Sequence, residues 1–323
     1  MRATQMLRNA FQHSDPTPGV PPEARLARRN AGEPSDRGSR REHRPKGLSA
    51  GAALRYLGVD LAWGEGSERK VANRSGVVAL EANGTISDAG WRIGPDARVD
   101  WIQRHAGDDA LLLVDAPLVI ANATGPRLAD RQTGQRYGRW WVSANSVNLN
   151  CPHQAGVHLR ERLEALGWRY SDGREGPPCA GRVVSECYPY TAIVGVPELG
   201  YDDRRPAYKR ASKGMPAAQA WPIRTAACDE LIRRIARLAD FDPPLDIASH
   251  PETKRLVDEP SPPRWRDYKL REDLLDAVIC AWTAAYWHRH GLERSQVLGV
   301  PERPTEAPLA TIIAPARPEQ RRP

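Results

Sequence analysis

Cysteine pairs, long apolar runs and phosphate-loop motifs are missing from this sequence, and each absence narrows what the chain does. Its five cysteines are an odd number, widely spaced, with no Cys-x-x-Cys pair, so spacing offers neither a disulfide framework nor a zinc ribbon and points to a reducing compartment. The longest apolar stretch, 277–287, is too short to cross a bilayer and is bounded by Asp276 and His288; it predicts a buried helix and no membrane association. No secretory or transit pattern is recognised at the start, which makes a cytoplasmic protein the expectation. There is no GxxxxGK[ST] string, nor a GxGxxG between a strand and a helix, so P-loop and dinucleotide chemistry have little support. Cys151-Pro152-His153 with His158 falls short of a zinc-ligand set at known spacing.

A strong basic field is also lacking where it would matter. The formal charge is +7, but residues 1–50 hold ten Lys and Arg against five Asp and Glu, and residues 301–323 hold four against three, which leaves about +1 for 51–300. A groove for an acidic polymer therefore has to be local.

What is present divides the 323 residues into three parts. Residues 1–52, rich in Arg, Pro, Gly and Ser without apolar periodicity, read as a disordered basic extension, and 301–323 as an irregular Pro-rich tail. The intervening 53–300 reads as one α/β domain with 118–180 inserted over its sheet. Strand periodicity marks 54–63, 75–81 and 85–93, the last two joined by Asn83-Gly84, a strong hairpin signal. A helix over 96–105 and a wholly apolar strand over 110–114 follow, then a helix at 157–166, a strand at 181–187, and helices at 217–239 and 269–289. The order predicts a mixed sheet, an antiparallel meander beside parallel strands, flanked by helices.

Four carboxylates fall where a solvated charge is unexpected. Asp60 lies in the first strand on the side opposite Leu57, Val59 and Leu61, Asp115 closes a buried strand, Glu186 ends another, and Asp276 lies inside a helix that is apolar almost all round. A mid-helix acid there needs a compensating partner, and a metal ion is one. Gathered carboxylate oxygens suit Mg²⁺ or Mn²⁺, and two such cations hydrolyse phosphodiesters by activating water and stabilising the leaving oxygen. Each acid also fits a plainer role: Asp115 a turn, Asp273 a helix cap, Glu186 or Asp60 a partner for an arginine.

The strings Gly58-Val59-Asp60-Leu61-Ala62-Trp63, Val114-Asp115-Ala116-Pro117-Leu118, Glu186-Cys187-Tyr188-Pro189, Tyr208-Lys209 and Leu275-Asp276-Ala277-Val278-Ile279-Cys280-Ala281, in this order, resemble the domain of unknown function 429 family of predicted ribonuclease H-like nucleases. The resemblance implies a ribonuclease H-like fold with Asp60, Asp115, Glu186 and Asp276 at the positions of a nuclease-type metal site, and leaves Asp273 ambiguous. The leading expectation is a Mg²⁺- or Mn²⁺-dependent nuclease in which Asp60 bridges two metals, Asp115, Glu186 and Asp276 complete their shells, and Asp273 is a fifth ligand candidate. Lys209 with Tyr208, and Arg127 with Arg131, are expected to approach a nucleic-acid phosphate, and Trp140, Trp141 and Asn145 are candidates to meet bases unless the tryptophans are core. Phosphoryl transfer to a small molecule and a non-catalytic nucleic-acid- or partner-binding module are the rival readings.

Overall fold

The computed structural model of the protein describes residues 54–66, 71–210, 214–303 and 308–321. The extension expected over 1–52 lies outside the described residues.

The chain builds a six-stranded mixed sheet from short runs of β-branched and leucine residues. Strand β1 (Arg55–Asp60) pairs antiparallel with β2 (Arg74–Leu80), and β2 with β3 (Ile86–Ile93). The predicted hairpin turn between β2 and β3 forms, with Gly84 at φ +88°, a conformation that favours glycine. Helix α1 (Gly94–Ala106) leads to β4 (Ala110–Val114), which lies parallel to β1. Helices α2 (Leu128–Tyr137) and α3 (Ala155–Glu164) precede the two-residue strand β5 (Arg169–Tyr170), and β6 (Arg182–Glu186) runs parallel to both β4 and β5. The sheet order is β3-β2-β1-β4-β6-β5. Then come α4 (Pro189–Gly195), α5 (Ala217–Ala236), α6 (Pro251–Asp258) and α7 (Trp265–Arg294), whose helical run breaks at Gly291, near the expected end.

Both faces of the sheet are covered, as strand alternation requires. Leu57 and Val59 of β1 and Leu112 and Val114 of β4 pack towards α1 and α3 with Trp101, Ile102 and Leu159. Tyr56, Leu111 and Leu113 pack on the other side with α7. There α7 meets the sheet almost backbone to backbone. A Cβ placed on Gly58 would come 2.1 Å from the Ala277 carbonyl oxygen, and one on Gly76 of β2 would come 2.2 Å from that of Asp273. The glycines thus seat the helix, and Ala277 and Ala281 keep its facing side thin.

Two expectations are corrected. The stretch 118–180 is not wholly an appendage, because its β5 forms the edge of the main sheet. Nor is the tail irregular throughout: β8 (Ile312–Pro315) pairs antiparallel with β7 (Ser295–Leu298), with Ile312, Ile313 and Ala314 buried. The flanking prolines hide an apolar run long enough for one edge strand. Among the described residues, no helix is long and apolar enough to cross a membrane.

The seating predicts that Gly58→Ala, although a minimal change, costs about 3 kcal/mol by overpacking, because backbone atoms rather than a flexible side chain stand in the way. Urea unfolding checks this, and an unchanged midpoint would contradict it.

Candidate metal centre

Parallel pairing and the seating of α7 bring three aspartates together. Val59 and Val114 are register partners in β1 and β4, and the Asp115 amide donates to the Val59 carbonyl at 2.9 Å, so Asp60 and Asp115 leave adjacent strands side by side. On α7, Asp276 immediately precedes Ala277, whose carbonyl faces Gly58. One carboxylate oxygen from each of Asp60, Asp115 and Asp276 lies within 4.8 Å of the other two. Among the described residues, no other group of three or more His, Cys, Asp or Glu side chains is gathered in this way.

Asp276 is fully buried, and Tyr208 Oη donates to its Oδ1 at 2.6 Å. Its Oδ2 accepts no directed hydrogen bond but lies 2.6 Å from Lys209 Nζ, which is also 3.4 Å from Asp115 Oδ2. One turn earlier on α7, Asp273 lies against Asp60 and pairs with Lys269 at 2.6 Å. Lys269 also holds Glu272 at 2.7 Å, and Arg224 reaches Glu272 at 3.3 Å.

Fully ionised, Asp60, Asp115, Asp273 and Asp276 face two ammonium groups, an excess of two negative charges in a poorly solvated place. Burial, then repulsion from Asp273, Asp276 and Asp115, holds the Asp60 carboxyl well above the usual carboxylate range. Burial pushes Asp115 up to about 6 even with Lys209 beside it. Burial works against the Lys209 ammonium, but Asp276, Asp115 and Asp60 outweigh it and keep the group charged.

These groups line a cleft of about 1200 Å³. Glu186 borders it too, but the structure does not place that carboxylate in the aspartate group. Arg127 Nη2 reaches Glu186 Oε1 at 2.6 Å and Nη1 reaches Oε2 at 2.8 Å, while the Leu118 amide donates to Oε2 at 3.0 Å. Arg127 also holds Asp130 at 2.8 Å, and all three side chains are buried. Glu186 and Arg127 satisfy each other, where the first was expected to hold a metal and the second to approach a phosphate.

Tyr208, expected to approach a phosphate with Lys209, is fully buried and donates its hydroxyl to Asp276. Arg131 is exposed, bonds the Pro126 carbonyl and does not line the cleft. Trp140 is core, whereas its neighbour Trp141 and Asn145 border the cleft. His158 pairs with Glu65 at 2.7 Å and, among the described residues, joins no group of three or more possible metal ligands. Sequence reasoning missed Lys269 and Asp130. Helical spacing could have found Lys269, four residues before Asp273, and capping spacing Asp130, three residues after Arg127.

Two outcomes follow. Arg127→Met strands two buried carboxylates and costs about 3–5 kcal/mol in chemical unfolding; a neutral effect would return Glu186 to the list of free ligands. For Asp115 the folded pKa lies above the unfolded one, so the stability it allows is fully present below about pH 4 and is lost as pH rises through about 6. Metal-free Asp115→Asn therefore gains in melting temperature over wild type between pH 4 and 7, and a pH-independent difference contradicts the elevated pKa.

No curated protein matches the chain. The model of the family described as protein of unknown function (DUF429) matches residues 58–303, a span that takes in Asp60, Asp115, Asp273, Asp276 and both lysines, and the chain belongs to that family.

Proposed function

We propose that the protein is a divalent-metal-dependent nuclease with a ribonuclease H-like fold, in which Asp60, Asp115 and Asp276 hold Mg²⁺ or Mn²⁺ for hydrolysis of nucleic-acid phosphodiesters. The carrying observation is the convergence of three aspartate oxygens from two adjacent parallel strands and a late helix at one cleft. An antiparallel meander followed by parallel strands, with the acids at their carboxyl ends, supports the fold reading. The donor set fits the metal: all are hard oxygens, and the charge excess that remains after both lysines are counted equals that of one divalent cation.

A bound cation would supply an activated water and polarise the scissile phosphate. The chain's own residues have separable tasks. Tyr208 fixes Asp276 through Oδ1 and leaves Oδ2 turned to Lys209. Lys209, part-exposed in the cleft, carries the positive charge nearest the acids and neutralises charge that builds on a phosphoryl oxygen. For a second cation, as a two-metal reaction requires, the further carboxylate beside Asp60 is Asp273. Glu186 has a framework role, holding the loop after β4 through the Leu118 amide and Arg127.

The test is incubation of the purified protein with single-stranded, double-stranded and branched DNA and RNA in Mg²⁺, Mn²⁺ or EDTA. Metal-dependent cleavage is expected, with Asp60→Asn lowering the rate by at least about 100-fold. Because that change relieves buried repulsion, its metal-free melting temperature is expected to equal or exceed that of wild type. Equal cleavage by wild type and Asp60→Asn, or no cleavage of any substrate, contradicts the proposal.

A further inference from the structure

Folding buries most of the ten tryptophans in whole or in part, but leaves three exposed at one place. Trp63, Trp141 and Trp265 are 37%, 64% and 53% exposed, and all three line the cleft that holds the aspartates. They come from separate parts of the chain: the end of β1, the segment after α2, and the first residue of α7. Chance exposure of large aromatics would scatter them over the surface, whereas a cluster at one cleft marks a binding surface.

Two of these rings are buttressed. Trp141 has φ +66°, a left-handed conformation that is costly for a bulky residue, and its carbonyl is held by Arg205 Nε at 2.8 Å. The Arg204 guanidinium lies 4.1 Å from the Trp141 ring centroid. Trp265 stacks on Tyr268 with centroids 6.3 Å apart, meets Trp221 edge-on at 6.1 Å, and has the Arg224 guanidinium 4.6 Å from its ring centroid. Rings held in this way offer area at little further entropic cost.

The same cleft carries Arg74, Arg210 and Arg266, all exposed and without an ion pair among the described residues. Flat aromatic faces together with free guanidinium groups match a polyanion whose bases are accessible from their faces. A duplex hides those faces in its stack, and a neutral sugar polymer has no use for the arginines. We infer that the cleft is a groove for single-stranded nucleic acid, in which Trp141 and Trp265 stack unpaired bases and Arg74, Arg210 and Arg266 take phosphates. The inference narrows the substrate class of the nuclease reading and rests on it only for what happens at the aspartates.

Binding is separable from cleavage. Full-length Asp60→Asn in EDTA is titrated against fluorescein-labelled 15-mers of thymidylate or uridylate, and against a duplex of equal length, by anisotropy at fixed salt. The single strand is expected to bind at least about 10-fold tighter than the duplex. Trp141→Ala and Trp265→Ala should each weaken it by about 5- to 100-fold, while Trp141→Phe and Trp265→Phe largely restore it. Both rings are exposed, so circular dichroism and melting temperature should stay unchanged in these variants. Equal affinity for the duplex, alanine variants that bind like the parent, or displacement of the strand as readily by a mononucleotide or a neutral oligosaccharide would overturn the inference. Tryptophan-dependent strand binding in a protein that cleaves nothing keeps the groove and removes the nuclease. Metal-dependent duplex cleavage indifferent to the tryptophans does the reverse.

Discussion

The close seat of α7 on β1 and β2 is the contact on which the rest depends. Gly58 and Gly76 remove the side chains that would hold the helix off, and Ala277 and Ala281 do the same from the other side. Dense packing of this kind tolerates little volume change, and it fixes the helix in rotation as well as in distance. That fixed rotation brings Asp276, flanked by the Asp273 and Ala277 carbonyls that face the glycines, to the ends of β1 and β4, where register has already placed Asp60 and Asp115. A helix packed on ordinary side chains would sit several ångströms higher and would separate the acids.

Gathering the acids has an electrostatic cost, which the fold handles in two ways. In the aspartate group the compensation is partial: Lys209 and Lys269 cannot balance four carboxylates, and Asp60 and Asp115 respond with elevated pKa values. Around Glu186 it is nearly complete, since Arg127 meets that carboxylate with two donors and also holds Asp130. The first arrangement leaves carboxylates only partly neutralised, and the second does not. Two sets of buried acids on one cleft thus take different roles according to how fully each is paired.

How much of this was legible follows the range of the signals. The meander, the apolar β4 and the central strand were readable because two-residue alternation and the Asn83-Gly84 turn are local. Asp60, Asp115 and Asp276 were readable as acids in apolar surroundings. Glu186 gave the same local signal, but its partner lies 59 residues away, and no periodicity carries a contact of that kind. Trp140 and Trp141 are neighbours with opposite fates because the backbone turns left-handed at Trp141, which spacing does not announce. Strand β8 was hidden by prolines, since composition outweighed a short apolar run.

Around the acids, the cleft is lined by exposed tryptophans and by arginines that make no ion pair among the described residues, while the aspartates give it one centre of hard oxygen donors. The claim common to both is that the three aspartates are a cation site rather than a strained knot of ion pairs. The most direct measurement is anomalous diffraction at the manganese edge from crystals equilibrated with Mn²⁺. The account predicts a peak within about 2.3 Å of an oxygen from each of Asp60, Asp115 and Asp276, with Lys209 Nζ displaced from Asp276. A Lys209 ammonium still seated against Asp276, with no peak among the three aspartates, would contradict it.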